Sequence, residues 1–570
     1  MNESKHINYS ILAFISLIVL FRIGFAEIQQ WDEGLFAMRA KAVLQYGEVI
    51  DQTPHAIGGL YSSTYPPLSI WAIAGFIKIF GQSALSVRFF SALCSIISVF
   101  VLYHIALRLM NEEKAMLSSV LLAGTTVWNS YARQGMTDVP LVMFILCTLI
   151  TLIKFSESEK NGKQWLWIIL FALFFAFGLM TKIVVSFIPI LFALVYFCYF
   201  GKRKRIMLIL SVFLGILLAL PWHVYMAMHH GWEFSRAFFA PHLYQGVENN
   251  TSYLGFSYYL NQMIIANPFL LLTFVFVFIS IFRFRKIRRN LENKENVLFM
   301  LLLIWFVSGF IIFSISPTKM AHYMLYILPP AVILALKFYQ LKDVIIASKK
   351  ELWTVTVLLL ICSLWSFGWI IRQDMKLIVS DFAFTPYSAV FLIVVLASLA
   401  SVFIFSEEVL NIFVRGTLSK MALVFLFFLI LRVAMSNSFV NPGEVNGAVK
   451  ASWIIEDTDD KTFIYIYHEH NASDSLNPQL AWYTKGWTCG WRKGKSMVSI
   501  PMPEKTINLK SIIELDDYPD YLVIFYLPQN KYLAETGARF ILETRPLLEQ
   551  SGRYLVFGKK RYNRKKGLEI

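Results

Sequence analysis

Apolar runs about 20 residues long, the length a helix needs to cross a bilayer core, recur along most of this chain. They centre near residues 17, 96, 123, 145, 172, 191, 214, 272, 306, 331, 361, 396 and 427 and predict about 13 transmembrane helices. Two more helices are predicted in the polar stretch between the first two runs. From Glu33 to Tyr46, Leu35, Met38, Ala42 and Val43 alternate with Arg39, Lys41 and Gln45, a pattern suited to a helix lying in the interface plane. Pro66-Pro67 opens a second helix, Pro67 to Phe80, which Gly81 ends. The pattern changes after about residue 436. Short strand-like runs appear at Thr462–Tyr467, Tyr521–Tyr526 and Arg553–Gly558, with helical patterns between them. The expected fold is therefore mainly α. A polytopic membrane domain covers 1–436, with an outer loop of interfacial helices at 27–82, and a small α/β domain follows at 437–570.

Basic clusters orient the runs. Lys202-Arg203-Lys204-Arg205, the segment Arg283 to Arg289, Lys349-Lys350 and the mixed loop with Lys154, Lys160 and Lys163 all fall on one side. The positive-inside rule makes that side cytoplasmic. The N-terminus is then cytoplasmic and the C-terminal domain external, and the first run is expected to be an uncleaved helix rather than a signal peptide. The unusual polar residues sort onto the outer face: the stretch Trp31 to Trp71, Arg133 to Asp138, Lys182, His223 to Asn261 and Ser316 to His322.

Composition excludes one soluble core. Of 570 residues, 57% are hydrophobic and 16% charged, against roughly 25% charged in soluble domains. The net charge of +15 resides in short loops between apolar runs, so it points to the lipid bilayer as partner and not to nucleic acid. Five cysteines, Cys94, Cys147, Cys198, Cys362 and Cys489, form no CxxC or Cys/His cluster, so neither a disulfide framework nor a structural zinc site is indicated.

The candidate chemistry lies in the outer segments. Asp32 and Glu33 follow the first run, and carboxylates at a membrane surface mark a functional site by default. The plainer alternative for that stretch is a solvated loop. Asp138 precedes Pro140 and suits either a helix cap or a second carboxylate facing Asp32 across an external cavity. Lys182 suits a snorkelling lysine most simply, or a functional cation. Lys319, followed by His322, Tyr323 and Tyr326, suits a lipid-linked phosphate about as well as simple anchoring. His223, His229, His230 and His242 offer metal ligands, but an interfacial aromatic belt explains them more cheaply.

The order of these features resembles the GT-C superfamily of membrane glycosyltransferases, above all the protein O-mannosyltransferases and the lipid A aminoarabinose transferases. The resemblance is carried by Asp32-Glu33, Pro66-Pro67-Leu68, Phe80-Gly81 with Val87-Arg88, and Ala132 to Asp138. Thr181-Lys182, Pro221-Trp222 and Thr318 to Pro329 continue it. It implies the GT-C fold and a role in protein glycosylation or lipid A modification in the cell envelope, at a bacterial inner membrane. It implies an inverting transfer from a polyprenyl-phosphate-linked sugar to an extracytoplasmic lipid, protein or polysaccharide. In that scheme Asp32, Glu33 and Asp138 are catalytic, and Lys319, Lys182 and Arg88 bind the donor phosphate. Tyr65, Pro66, Pro67, His322 and Tyr323 line the pocket. No metal or other cofactor is required, although a divalent cation is compatible. The relatives often have EKPP where this chain has Thr64-Tyr65-Pro66-Pro67, so a different cation must meet the phosphate. A lipid-linked sugar flippase is the rival of another class. It predicts inverted repeats, and none is visible.

Overall fold

The computed structural model describes residues 2–345 with short gaps, of which 244–254 is the longest. It also describes scattered positions between 351 and 365, and further on 447–455, 463–467, 478–483, 498–501, 521–525, 545–552 and 554–558. The described chain is mostly helical. Its first helices are α1 (Asn2–Leu17), α2 (Asp32–Tyr46), α3 (Leu60–Ser63), α4 (Leu68–Phe80), α5 (Ala84–Ala106) and α6 (Glu112–Gly124). Then come α7 (Thr126–Ala132), α8 (Asp138–Glu157), α9 (Asn161–Leu179), α10 (Ile188–Tyr199) and α11 (Lys202–Leu243). The helical part closes with α12 (Tyr258–Ala266), α13 (Leu271–Arg289), α14 (Asn293–Ile315) and α15 (Leu328–Ile345).

Among the described residues, six helical segments are long and apolar enough to cross a membrane: Ala84–Ala106, Asp138–Glu157, Asn161–Leu179, Lys202–Phe238, Pro268–Ile287 and Lys294–Ile315. They coincide with the expected centres at 96, 145, 172, 214, 272 and 306. Shorter apolar helices, Val185–Tyr199 and Leu328–Leu341, stand where centres 191 and 331 were expected. The spans expected near 396 and 427 lie outside the described residues, and the one near 361 largely does.

Helix boundaries follow local chemistry. The Ser83 hydroxyl accepts the Ser86 N–H at 3.2 Å and starts α5, and the Asn111 side chain caps α6 in the same way. Gly81, at φ +79°, ends α4 in the left-handed region.

Two of the apolar cores among the described residues account for most of the packing. The larger runs from α1 through α5, α6, α8 and α9 to α13, α14 and α15. The smaller joins α2 and α4 to the C-terminal elements α16 (Ala448–Ile455) and α17 (Pro478–Tyr483), through Phe36, Met38, Ile70, Ile73, Leu480, Trp482, Tyr554 and Val556. This core changes the picture of α2. Ten consecutive residues, Glu33 to Ala42, are buried, Arg39 and Lys41 among them. A one-sided interfacial helix was expected, but α4 and the C-terminal elements cover its other faces.

The C-terminal region carries a five-stranded sheet in the order β2-β1-β3-β5-β4. The strands are β1 (Phe463–Tyr467), β2 (Val498–Pro501), β3 (Tyr521–Phe525), β4 (Leu547–Ser551) and β5 (Tyr554–Phe557). β1 is parallel to β2 and β3, while β5 is antiparallel to β3 and β4. The three strand-like runs in the sequence are β1, β3 and β5. Polar residues in β2 and β4 hid those two.

Candidate active site

Asp32 and Glu33 occupy the first turn of α2, where the helix dipole favours negative charge. Their environments differ completely. Glu33 is fully buried. It takes Arg88 Nε at 2.7 Å and a terminal nitrogen of the same guanidinium at 3.0 Å. It also accepts the backbone N–H of Gln29 at 2.6 Å and of Gly135 at 2.8 Å. Arg88 further donates to the carbonyls of Ile23, Ala26 and Glu27 at 2.7–2.9 Å. Its five N–H groups are thereby satisfied inside the protein. Arg88 therefore has no donor left for a phosphate, which corrects the expectation that it binds one. Glu33, saturated by its four donors, holds the outer turn together and presents no free carboxylate oxygen to a substrate.

Gly135 is a sequence requirement of this knot. A Cβ there would lie 2.4 Å from Val87 Cγ1 and 2.8 Å from the Val87 carbonyl oxygen, so only glycine lets its N–H reach Glu33.

Asp32 is half-buried and makes no side-chain hydrogen bond among the described residues. Burial and the nearby charge of Asp138 raise its pKa from 3.8 to about 6, against the opposing influence of Lys182. Among the described residues its carboxylate is thus unengaged, and it is more basic than an ordinary aspartate.

Asp138 begins α8 but does not cap it. One carboxylate oxygen takes Lys182 Nζ at 3.0 Å and the Tyr326 hydroxyl, while the other is buried without a partner. The capping alternative is thereby replaced by an ion pair. Lys182 follows α9 and is only 7% exposed, so it does not snorkel. Burial pushes its pKa down, but Asp138 and the surrounding tyrosines push it further up, and the ammonium stays charged. The rings of Tyr65, Tyr323 and Tyr326 lie 5.6–5.8 Å from Nζ, at cation–π distance. Burial also raises the Tyr65 and Tyr323 hydroxyls, with Lys182 opposing. His322 packs on Tyr131 at 5.6 Å, and burial lowers its pKa, so the imidazole is neutral near pH 7.

The Pro66-Pro67 turn anchors this cluster. Leu68 N–H, just after the prolines, donates to the Met180 carbonyl at 3.1 Å and ties the start of α4 to the Lys182 turn. Arg39, buried in α2, donates to the Tyr65 carbonyl at 2.9 Å and to Gln52 at 2.8 Å.

The structure thus gathers Asp32, Tyr65, Asp138, Lys182, His322 and Tyr323, with Pro66 and Pro67 buried in the turn that follows Tyr65. Lys319 turns its Nζ to the Ser316 carbonyl, to which it donates at 2.7 Å, and makes no ion pair with Asp32 or Asp138 among the described residues. Tyr131 was not among the expected site residues, whereas Tyr326 was expected beside a phosphate-binding Lys319 and instead bonds Asp138 next to Lys182. Aromatic side chains are frequent in every outer loop here, so nothing in the sequence distinguished Tyr131.

Residues 64–226 match the family described as dolichyl-phosphate-mannose-protein mannosyltransferase. That segment contains Tyr65, Arg88, Asp138 and Lys182. Over 96% of the chain the structure superposes on 97% of ArnT from Cupriavidus metallidurans bound to undecaprenyl phosphate, with a TM-score of 0.68 and 16% identity. The chain has the GT-C fold. In sequence it is 26% identical over 358 residues to an uncharacterized protein of Aquifex aeolicus, covering 61% of this chain and 68% of that one. It is 27% identical over 337 residues to undecaprenyl phosphate-alpha-4-amino-4-deoxy-L-arabinose arabinosyl transferase 1 of Pseudomonas fluorescens, covering 57% and 58%. The sequence match therefore spans little more than half of that transferase, whereas the structural match with ArnT runs over nearly all of both chains.

Proposed function

We propose that this GT-C protein is an integral membrane glycosyltransferase that moves a sugar from a polyprenyl-phosphate-linked donor to an extracytoplasmic acceptor. The observation that carries this is the buried Lys182 ammonium. It is held by Asp138 beside the raised-pKa carboxylate of Asp32, which has no hydrogen-bond partner among the described residues. The fold match to ArnT in its undecaprenyl-phosphate complex supports the donor class.

Transfer needs an acceptor oxygen aligned with the anomeric carbon, and a charge to meet the departing phosphate. Asp32 takes the acceptor proton as the new C–O bond forms. A base poised near the working pH contributes roughly 10²- to 10⁴-fold. Asp138 takes one of the three N–H groups of Lys182, and the ammonium uses its remaining capacity on the phosphate oxygens as the C–O bond to phosphate breaks. Tyr326 and the Tyr65 and Tyr323 rings hold that ammonium in place. One displacement inverts the anomeric centre. The acceptor is a lipid, a protein or a polysaccharide. His322 and Tyr131 form an aromatic wall beside the two carboxylates.

The wider arrangement belongs to the same proposal: about 13 spans over 1–436 in a bacterial inner membrane, the N-terminus inside and the domain over 437–570 outside. The superposition over nearly all of both chains supports it. The flippase alternative gains no support from a cluster gathered beside short outer turns.

The test compares envelope glycolipids and glycoproteins by mass spectrometry in cells carrying wild-type protein or Asp32→Asn. A sugar that disappears from one acceptor, with the variant still folded and inserted, bears the proposal out and identifies the acceptor. An unchanged glycan profile removes Asp32 as the base.

A further inference from the structure

Away from the Asp32–Lys182 cluster, Asp51, His229 and His230 bring one ligand atom each to within 4.8 Å of one another, the one such group of three among the described residues. Asp51 lies after α2, and both histidines sit immediately before the break in α11 at Gly231, whose φ of 57° and ψ of −138° interrupt the helix. His230 Nε2 stands 2.8 Å from one Asp51 oxygen, and the two imidazole rings are 4.9 Å apart.

A hydrogen-bonded Asp51–His230 pair needs no third group, yet His229 converges on the same point. The three are also held from behind. The other Asp51 oxygen accepts the Thr53 N–H at 2.9 Å, and the Tyr225 ring stacks on His229 at 5.7 Å. The Trp71 and Trp222 indoles pin the Asp51 loop through the carbonyls of Val49 and Ile50, at 2.7 and 2.9 Å. Ligands braced in this way are a feature of built metal sites.

We propose that Asp51, His229 and His230 form a binding site for a divalent transition cation, zinc in the first instance. Two imidazoles and a carboxylate suit zinc, whose bonds to nitrogen and oxygen are about 2.0–2.2 Å long and place tetrahedral ligands about 3.4 Å apart. Closing the three ligand atoms from within 4.8 Å to that spacing takes side-chain rotations of about an ångström. Water fills the fourth position. Calcium and magnesium, which prefer all-oxygen sites, fit poorly. The bound ion joins the loop after α2 to the end of the apolar part of α11, across 179 residues of sequence. It also stiffens the route through Gln52 and Arg39 to the Tyr65 carbonyl. This inference stands on the geometry and does not depend on the transferase proposal.

The test uses the full-length, tag-free protein in detergent, stripped with chelator and dialysed against Zn²⁺. Metal content and calorimetric titration are read for wild type, Asp51→Asn, His229→Gln and His230→Gln, with His104→Gln as a control remote from the cluster. About one Zn²⁺ per wild-type and control chain is expected, together with a Zn²⁺-dependent rise in melting temperature. Each cluster variant should bind at least tenfold more weakly and lose that rise. The exposed His229 can change without disturbing the core, so its variant decides the matter even if Asp51→Asn fails to fold. Wild-type-like binding by His229→Gln, or no stoichiometric binding by wild type, overturns the proposal.

Discussion

At the scale of single residues, two adjacent carboxylates have separate fates because their neighbours differ. Glu33 is saturated by four donors, whereas Asp32 has none among the described residues. Asp32→Asn should lower turnover at least about 100-fold, yet leave the melting temperature at pH 7 equal or higher. The sign follows from linkage. A carboxyl whose pKa rises from 3.8 to about 6 on folding stabilises the fold below pH 3.8, and that contribution is lost as pH rises through about 6. At pH 7 Asp32 is therefore a buried charge whose removal costs the fold nothing. The same pKa predicts an acid limb in the rate. Activity should rise with pH and level off above about 6, and at pH 5 it should be about tenfold below the plateau, as read from initial rates across a buffer series. The two lysines separate the candidate phosphate ligands. Lys182→Met should cost roughly 10²- to 10³-fold in turnover, while Lys319→Met stays within a few-fold of wild type. Equal losses in a single-turnover assay would refute the assignment to Lys182.

At the scale of elements, the decisive contact is the knot of α2, α5 and the turn before α8. Glu33 and Arg88 are 55 residues apart and both buried. Removing one partner leaves an uncompensated buried charge, worth about 3–5 kcal/mol. Glu33→Gln should therefore cut the melting temperature and detergent-extracted yield far more than Asp32→Asn does. Gly135→Ala should do the same without changing any charge, because the new Cβ meets the Val87 backbone and the Glu33 hydrogen bond must break. Size-exclusion profiles and thermal melts of the two variants check this. The Asp-Glu pair, the Pro-Pro turn and Arg88 all stand out in the sequence as elements of one site. Which of them faces a ligand and which braces the turn depends on partners that are 55 and 102 residues from Glu33.

For the whole molecule, the C-terminal elements are part of the core beneath α2. Gln479 donates to Glu27 and to the Ile28 carbonyl at 3.1 and 2.8 Å, and the Tyr483 hydroxyl accepts the Ile28 N–H at 2.9 Å, four residues before Asp32. Trp482 is 1% exposed in that core. Trp482→Ala should cost about 3–5 kcal/mol of packing and reduce activity through the position of α2 although it lies outside the candidate site. Limited proteolysis of the C-terminal region, compared with wild type in the same detergent, reports the loosened contact. Unchanged protection would show that the region is held elsewhere.

Features that depend on local pattern are legible in the chain without its fold. The apolar runs set the spans, because a bilayer core demands about 20 such residues wherever they occur. Short runs rich in β-branched and aromatic residues marked β1, β3 and β5. Proline and glycine marked the ends of α4. The partnerships arise only on folding: Glu33 with Arg88, Asp138 with Lys182, Asp51 with His230. A buried charge is tolerated only where an opposite charge or a set of donors meets it, and those partners come from distant segments. The same distance effect raises the Asp32 pKa, since Asp138 acts on it from 106 positions away in the chain.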